Sequence, residues 1–173
     1  MVWTAPHPPE RVDPPGVGDE RAQLEGFLDY HRRTFLQKCA GLDADQLRQR
    51  IVEPSTLSLL GLLRHLTEVE RSWFRHRLDG QELGPLFSTD DDPDADFNDL
   101  SGDAEADHRA YLREVDAARA AAGRHQLDDT FVHERTGERL SLRWLHLHLL
   151  EEYARHNGHA DLLRERIDGV TGE

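Results

Sequence analysis

The sequence predicts an all-α protein: a four-helix bundle with a long crossover between its second and third helices. Three observations support this. Four segments of roughly 20 residues or more carry apolar residues at helical spacing, and the glycines and prolines fall between them. No stretch sustains the alternation of a strand, and no internal repeat is present. Histidine and glutamate are concentrated on one of the four segments, at positions that share a face.

The first 17 residues hold five of the eight prolines (Pro6, Pro8, Pro9, Pro14 and Pro15) and cannot be helical. They are expected to form an extended arm that frays or drapes over the body, anchored by Trp3; the bundle would occupy residues 18–173. The first long helix should run from Asp19 to Ala40, with Leu24, Phe27, Leu28, Phe35 and Leu36 as its stripe and Gly41 as its stop. A helical turn, Asp43–Arg48, follows, capped by Asp43. The second helix spans Ser58–Leu78, closed by Gly80. Next comes a polar, acidic stretch, Gln81–Gly102, without helical periodicity. An extended linker can return along a 20-residue helix in about ten residues, so this stretch can be a crossover; a functional loop is the other reading. The third helix covers Asp103–Ala122, and its VDAARAAAG half suits close packing. Thr130–Leu140 reads as a short hairpin or extended excursion around Thr136-Gly137. Ser141 then caps a fourth helix that reaches Ile167 before Asp168-Gly169.

Bulk composition narrows the function. With 37% hydrophobic and 32% charged residues, this is a water-soluble chain, and its apolar runs are too short to span a membrane. The N-terminus lacks a signal-peptide core, which makes the cytoplasm the expected compartment. A net charge of −13 would repel nucleic acid and anionic membrane surfaces. Lys38 is the single lysine among 21 basic residues, a bias typical of GC-rich coding. Cys39 is the sole cysteine, which rules out an intramolecular disulfide and reads as a buried thiol.

The chemistry-bearing motif lies in HLLEEYARHNGHADLLR, residues 148–164. His148, Glu152, His156 and His159 recur every three or four residues and fall within about 80° on a helix. The competing reading is a solvated polar face. Leu145, Leu149 and Leu163 nearby turn part of that face inward, where histidine and glutamate need partners. On the second helix, His65 lies among Leu59, Leu60, Leu62, Leu63, Leu66 and Val69. Alone it would read as a core histidine; opposite a Glu-x-x-x-His pair it becomes a third ligand. Such a set leaves coordination positions open, and imidazole with carboxylate suits zinc, nickel, iron or manganese. Glu68 would orient His65 or meet solvent, and His146 and His31 read as structural. His7, His76, His125 and His133 are expected at the surface. Other schemes lack their residues: there is no His-Glu-x-x-His, and the lone Glu105-x-x-His108 has no counterpart for a di-iron centre.

On these residues the chain resembles the DinB-like superfamily, in its mycothiol-transferase-like branch. The likeness is strongest in STLSLLGLLRHLTEVERSWF (55–74) and LRWLHLHLLEEYARHNGHADLLRERIDG (142–169). It implies a four-helix bundle holding one divalent metal through His65, Glu152 and His156, with His159 as a fourth ligand or a base. It also implies a metal-dependent S-transferase that joins a low-molecular-weight thiol such as mycothiol to an electrophile. Arg64 or Arg155 would bind a cosubstrate carboxylate. Zinc is the first choice of metal, and a homodimer fits such bundles. Two other readings stay open: a hydrolase working on metal-activated water, and a non-enzymatic binding protein for metal or a small ligand.

Overall fold

The computed structural model describes residues 2–172. It is mostly helical, with one small sheet. In chain order it contains α1 (Glu20–Cys39), α2 (Ala44–Arg48), α3 (Leu59–Glu70), a π-helical continuation (Arg71–Leu78), α4 (Ala95–Asn98) and α5 (Ala104–Ala122). Then come β1 (Thr130–Val132), β2 (Arg139–Ser141) and α6 (Leu142–Asp168).

Caps fix most of these boundaries. Asp19 accepts from the Ala22 amide, Ser58 from Gly61 and Ser141 from Trp144, each meeting a donor that the first helical turn cannot. Asp43 and Gln46 form a reciprocal capping box on α2. At the far end of α6, Gly169 takes φ 78°, a left-handed conformation that ends the helix without a Cβ clash.

Helix α1 packs along α6, α3 packs against α5 and α6, and the short α4 lies on α3. Leu59, Leu60, Leu62, Leu63 and Leu66 of α3 meet Leu28 and Phe35, Ala118 and Ala121, and Leu145 and Leu149 in one core. The alanine-rich half of α5 thus provides the close packing its composition suggests. A polar ladder crosses this core. Arg32 forks onto Glu70 through two 2.7 Å bonds, Tyr153 donates to Glu70 at 2.8 Å, and the Tyr111 and Tyr153 hydroxyls meet at 2.9 Å. Glu70 is 0% exposed, and Arg32 and Tyr153 satisfy its carboxylate oxygens.

Several local features differ from the sequence expectations, among them Phe27 of the first helix's stripe, which is 49% exposed. The segment Arg71–Leu78 leaves α-helical bonding for i→i+5 bonds, as between the Asp79 amide and the Phe74 carbonyl (3.2 Å). The connection after Gly80 contains a helical turn, α4. His133, expected at the surface, is 8% exposed, because the indole of Trp73 stacks on it. The hairpin is formed by β1 and β2, antiparallel with Phe131 opposite Leu140. Near the N-terminus, the Ala5 amide donates to the Leu42 carbonyl and the Gly41 amide to the Ala5 carbonyl, both at 2.8 Å, while Trp3 packs on the core. No helix among the described residues is long and apolar enough to cross a membrane.

Candidate metal centre

Helix α3 contributes His65 to the cluster and α6 contributes Glu152 and His156, one turn apart. His65 Nε2 lies 3.9 Å from Glu152 Oε2, and His156 Nε2 lies 3.3 Å from the same oxygen. One donor atom from each residue falls within 4.8 Å of the others. Two donors on a tetrahedral zinc at bond lengths near 2.1 Å sit about 3.4 Å apart, so small side-chain adjustments suffice for a shared ion. Two imidazoles and a carboxylate converging from separate helices therefore fit a divalent metal.

The surrounding contacts orient the donors. Asp96 Oδ2 approaches His65 Nδ1 at 3.0 Å, and Phe97 stacks on the same ring with centroids 4.9 Å apart. An Asp96 carboxylate accepting from Nδ1–H leaves the Nε2 lone pair facing Glu152. His159 Nδ1 stands 3.3 Å from His156 Nδ1. Burial, reinforced by the neighbouring His65, pushes His156 down to about 4, so its imidazole is neutral near pH 7 and keeps a lone pair. Burial also lowers His148, whose Nε2 lies 4.0 Å from Glu152 Oε1.

Beyond His148 the neighbouring side chains are aromatic. Trp73 meets the His148 ring at 4.7 Å, Trp144 stacks on His148 at 5.0 Å, and Trp73 and Trp144 are 5.7 Å apart. Phe74 and Tyr153, the other aromatic residues of these helices, are buried in the core.

The two arginines singled out from the sequence each have an acidic partner. Arg64 is buried; it donates to Asp107 at 2.7 Å and to the Asp99 carbonyl, and its guanidinium covers the Phe87 ring. Arg155 is exposed and donates to Glu151 at 2.5 Å. Glu68 takes neither role considered for it. Its Oε1 accepts from the amides of Leu86, Phe87 and Ser88 at 2.6, 2.5 and 3.3 Å, pinning the start of the connection to α3. His146 bonds the Leu142 carbonyl at 3.0 Å, and Asn157 donates to the His31 carbonyl at 3.1 Å. Cys39 is buried, and desolvation raises its thiol to about 12, which removes it as a nucleophile.

Sequence reading missed Asp96 and Phe97. Both belong to an acidic connection in which spacing does not separate Asp96 from its neighbouring aspartates; the length of that connection was the one available pointer.

The fold and donor set define a largely helical protein with a possible two-histidine, one-glutamate metal site. The chain matches the family model described as Mycothiol-S-transferase over residues 23–169, and it belongs to that family. This agrees with the DinB-like, mycothiol-transferase-like resemblance read from the sequence. No curated protein and no solved structure matches the chain.

Proposed function

We propose that this protein is a metal-dependent S-transferase that joins the thiol of mycothiol, or a similar low-molecular-weight thiol, to an electrophile in the cytoplasm. The convergence of His65, Glu152 and His156 in a member of the Mycothiol-S-transferase family carries this reading. In the same reading, the long helices of residues 18–173 form the DinB-like four-helix bundle, and residues 1–17 are an arm laid against it.

A divalent metal bound at the three residues supplies Lewis acidity that keeps the cosubstrate sulfur as thiolate near neutral pH. His65 and His156 each offer Nε2, and Glu152 offers the carboxylate charge that offsets a dication. Asp96 holds His65 in the tautomer that frees Nε2. His159 has the matching task on the other helix. With its Nδ1 accepting from His156 Nδ1–H, its own Nε2 carries the hydrogen and serves as a donor. In the transfer, the thiol proton is given up to water on binding. Sulfur bonds to the electrophilic carbon as the bond from that carbon to its leaving group breaks. The leaving group departs with the bonding pair, and His159 Nε2–H hydrogen-bonds its growing negative charge. Arg155, exposed on the same helix, is the proposed contact for cosubstrate polar groups. Arg64 braces the connection against α3 and α5.

Purified metal-loaded protein assayed with monochlorobimane, with and without mycothiol, tests the reading. Thiol-dependent conjugation that disappears in His65→Ala and His156→Ala is the expected result. Product release without thiol would indicate hydrolysis, and no turnover across a panel of electrophiles would leave only binding; either contradicts the proposal.

A further inference from the structure

A cavity of about 500 Å³ opens between α1 and α5 and reaches the first turns of α6 at His146. It shares no residue with His65, Glu152 and His156. His146 sits about 160° around α6 from His148, so the cavity lies on the other side of that helix. Leu28, Phe74 and Ala118 supply an apolar wall.

Three arginines line this cavity, but every guanidinium nitrogen already donates within the protein. Arg21 donates to Glu25 and to the carbonyls of Ala122 and His125. Arg32 donates to Glu70 and Asp29, and Arg119 to Asp29 and Asp116. The four acids among these partners outnumber the three arginines, which leaves one negative charge in excess. Acceptors are what the cavity has to spare. Glu25 takes its bond on Oε1 and Asp29 takes all of its bonds on Oδ1, so Oε2 and Oδ2 have no partner among the described residues. His146 is 1% exposed, and its Nδ1–H donates to the Leu142 carbonyl at 3.0 Å. Its Nε2 therefore carries a lone pair, and it too lacks a hydrogen-bond partner among the described residues. A buried acceptor left unpaired is costly unless another group supplies the donor.

We propose that this cavity binds a small organic ammonium. Its N–H groups are donated to His146 Nε2 and to the free oxygens of Glu25 and Asp29, and its hydrocarbon body packs on Leu28, Phe74 and Ala118. An ammonium has three donors and no acceptor, which complements a site rich in unused acceptors, and its bonds to carboxylates are charge-assisted. Its single positive charge offsets the local excess. A carboxylate in the same place would face two carboxylates and no uncommitted guanidinium. Glu25 and Asp29 are one turn apart on α1, a spacing at which two side chains serve one ligand. The site stands apart from the S-transfer reading of the metal centre.

Calorimetric titration of zinc-loaded full-length protein with phenethylamine, phenethyl alcohol and phenylacetate at pH 7 tests the site. The amine should bind about 10-fold or more tightly than the alcohol, and phenylacetate more weakly than either. Glu25→Gln and Asp29→Asn should each lose most of the preference for the amine while keeping the wild-type circular dichroism. His65→Ala should bind the amine as the wild type does, which separates this cavity from coordination of the amine to zinc. No amine binding by the wild type, equal affinity for amine and alcohol, or tighter binding of phenylacetate overturns the proposal. So does an undiminished preference in both acid variants, or loss of amine binding in His65→Ala. Thiol-dependent turnover of monochlorobimane tests the S-transfer reading separately.

Discussion

Asp96 Oδ2 lies 3.0 Å from Nδ1 of His65, and it comes from a connecting segment 31 residues further along the chain. A buried carboxylate in that position fixes both the ring plane and the tautomer of the histidine, which leaves Nε2 to face Glu152. Carboxylates that support a metal-binding histidine in this way typically contribute 10- to 100-fold in affinity. Asp96→Asn should therefore weaken zinc binding by about one to two orders of magnitude without unfolding the protein. Competition against a chromophoric chelator measures this, and an unchanged affinity would remove Asp96 from the account.

The Arg32–Glu70–Tyr153 ladder gives a second expectation. Glu70→Ala removes the bidentate acceptor of the buried Arg32 guanidinium and leaves it only Asp29, a change that costs about 3–5 kcal/mol where a buried pair is broken. Urea unfolding of this variant should show that loss, whereas Glu151→Ala, which breaks an exposed pair with Arg155, should change stability little. Similar midpoints for the two variants would show that the ladder does not act as a buried ionic unit.

Histidine burial sets a direction for pH dependence. His146 is buried and held below its ordinary value chiefly by desolvation. The unfolded chain takes up a proton at this residue near pH 6.5, and the folded protein does so only at lower pH. Stability is therefore highest above the unfolded pKa, falls as pH drops below it, and levels off once the folded pKa is passed. The difference between wild type and His146→Gln in unfolding free energy should shrink as pH falls through that window. A difference that is constant, or that widens in acid, contradicts the assignment.

Cys39 is expected to be silent toward thiol reagents. With the thiol pushed up to about 12 and no exposed surface, native protein should resist Ellman's reagent at pH 8 and react fully in denaturant. Rapid labelling of the native state would show that the helix opens at this position.

Local signals made much of the helical layout legible. Asp19, Asp43, Ser58, Asp103 and Ser141 each cap the helix that follows them, and such caps are readable because they act within three residues. The juxtaposition of residues 65, 152 and 156 was also legible, since a period of four on one helix and an isolated histidine on another apolar face imply each other. Features set by distant neighbours were not readable. Nothing in RSWFRHRL announces a π-helix, for it contains neither proline nor glycine, and the segment packs against α5 and the hairpin, which local sequence does not show. Glu70 looks like any surface acid until Arg32 and Tyr153 enclose it. His133 looks exposed until Trp73 covers it. Asp96 is one acidic residue among many until the connection folds onto His65.

Metal content per chain is the most direct test of the central claim. Purified wild type, reconstituted with zinc and dialysed, should retain about one ion per chain, as expected for a single three-donor site. His65→Ala, Glu152→Ala and His156→Ala should each lose it, while His7→Ala, at an exposed position, should keep it. Retention of zinc in His65→Ala at the wild-type level, or its absence from the wild type, would contradict a centre shared between α3 and α6.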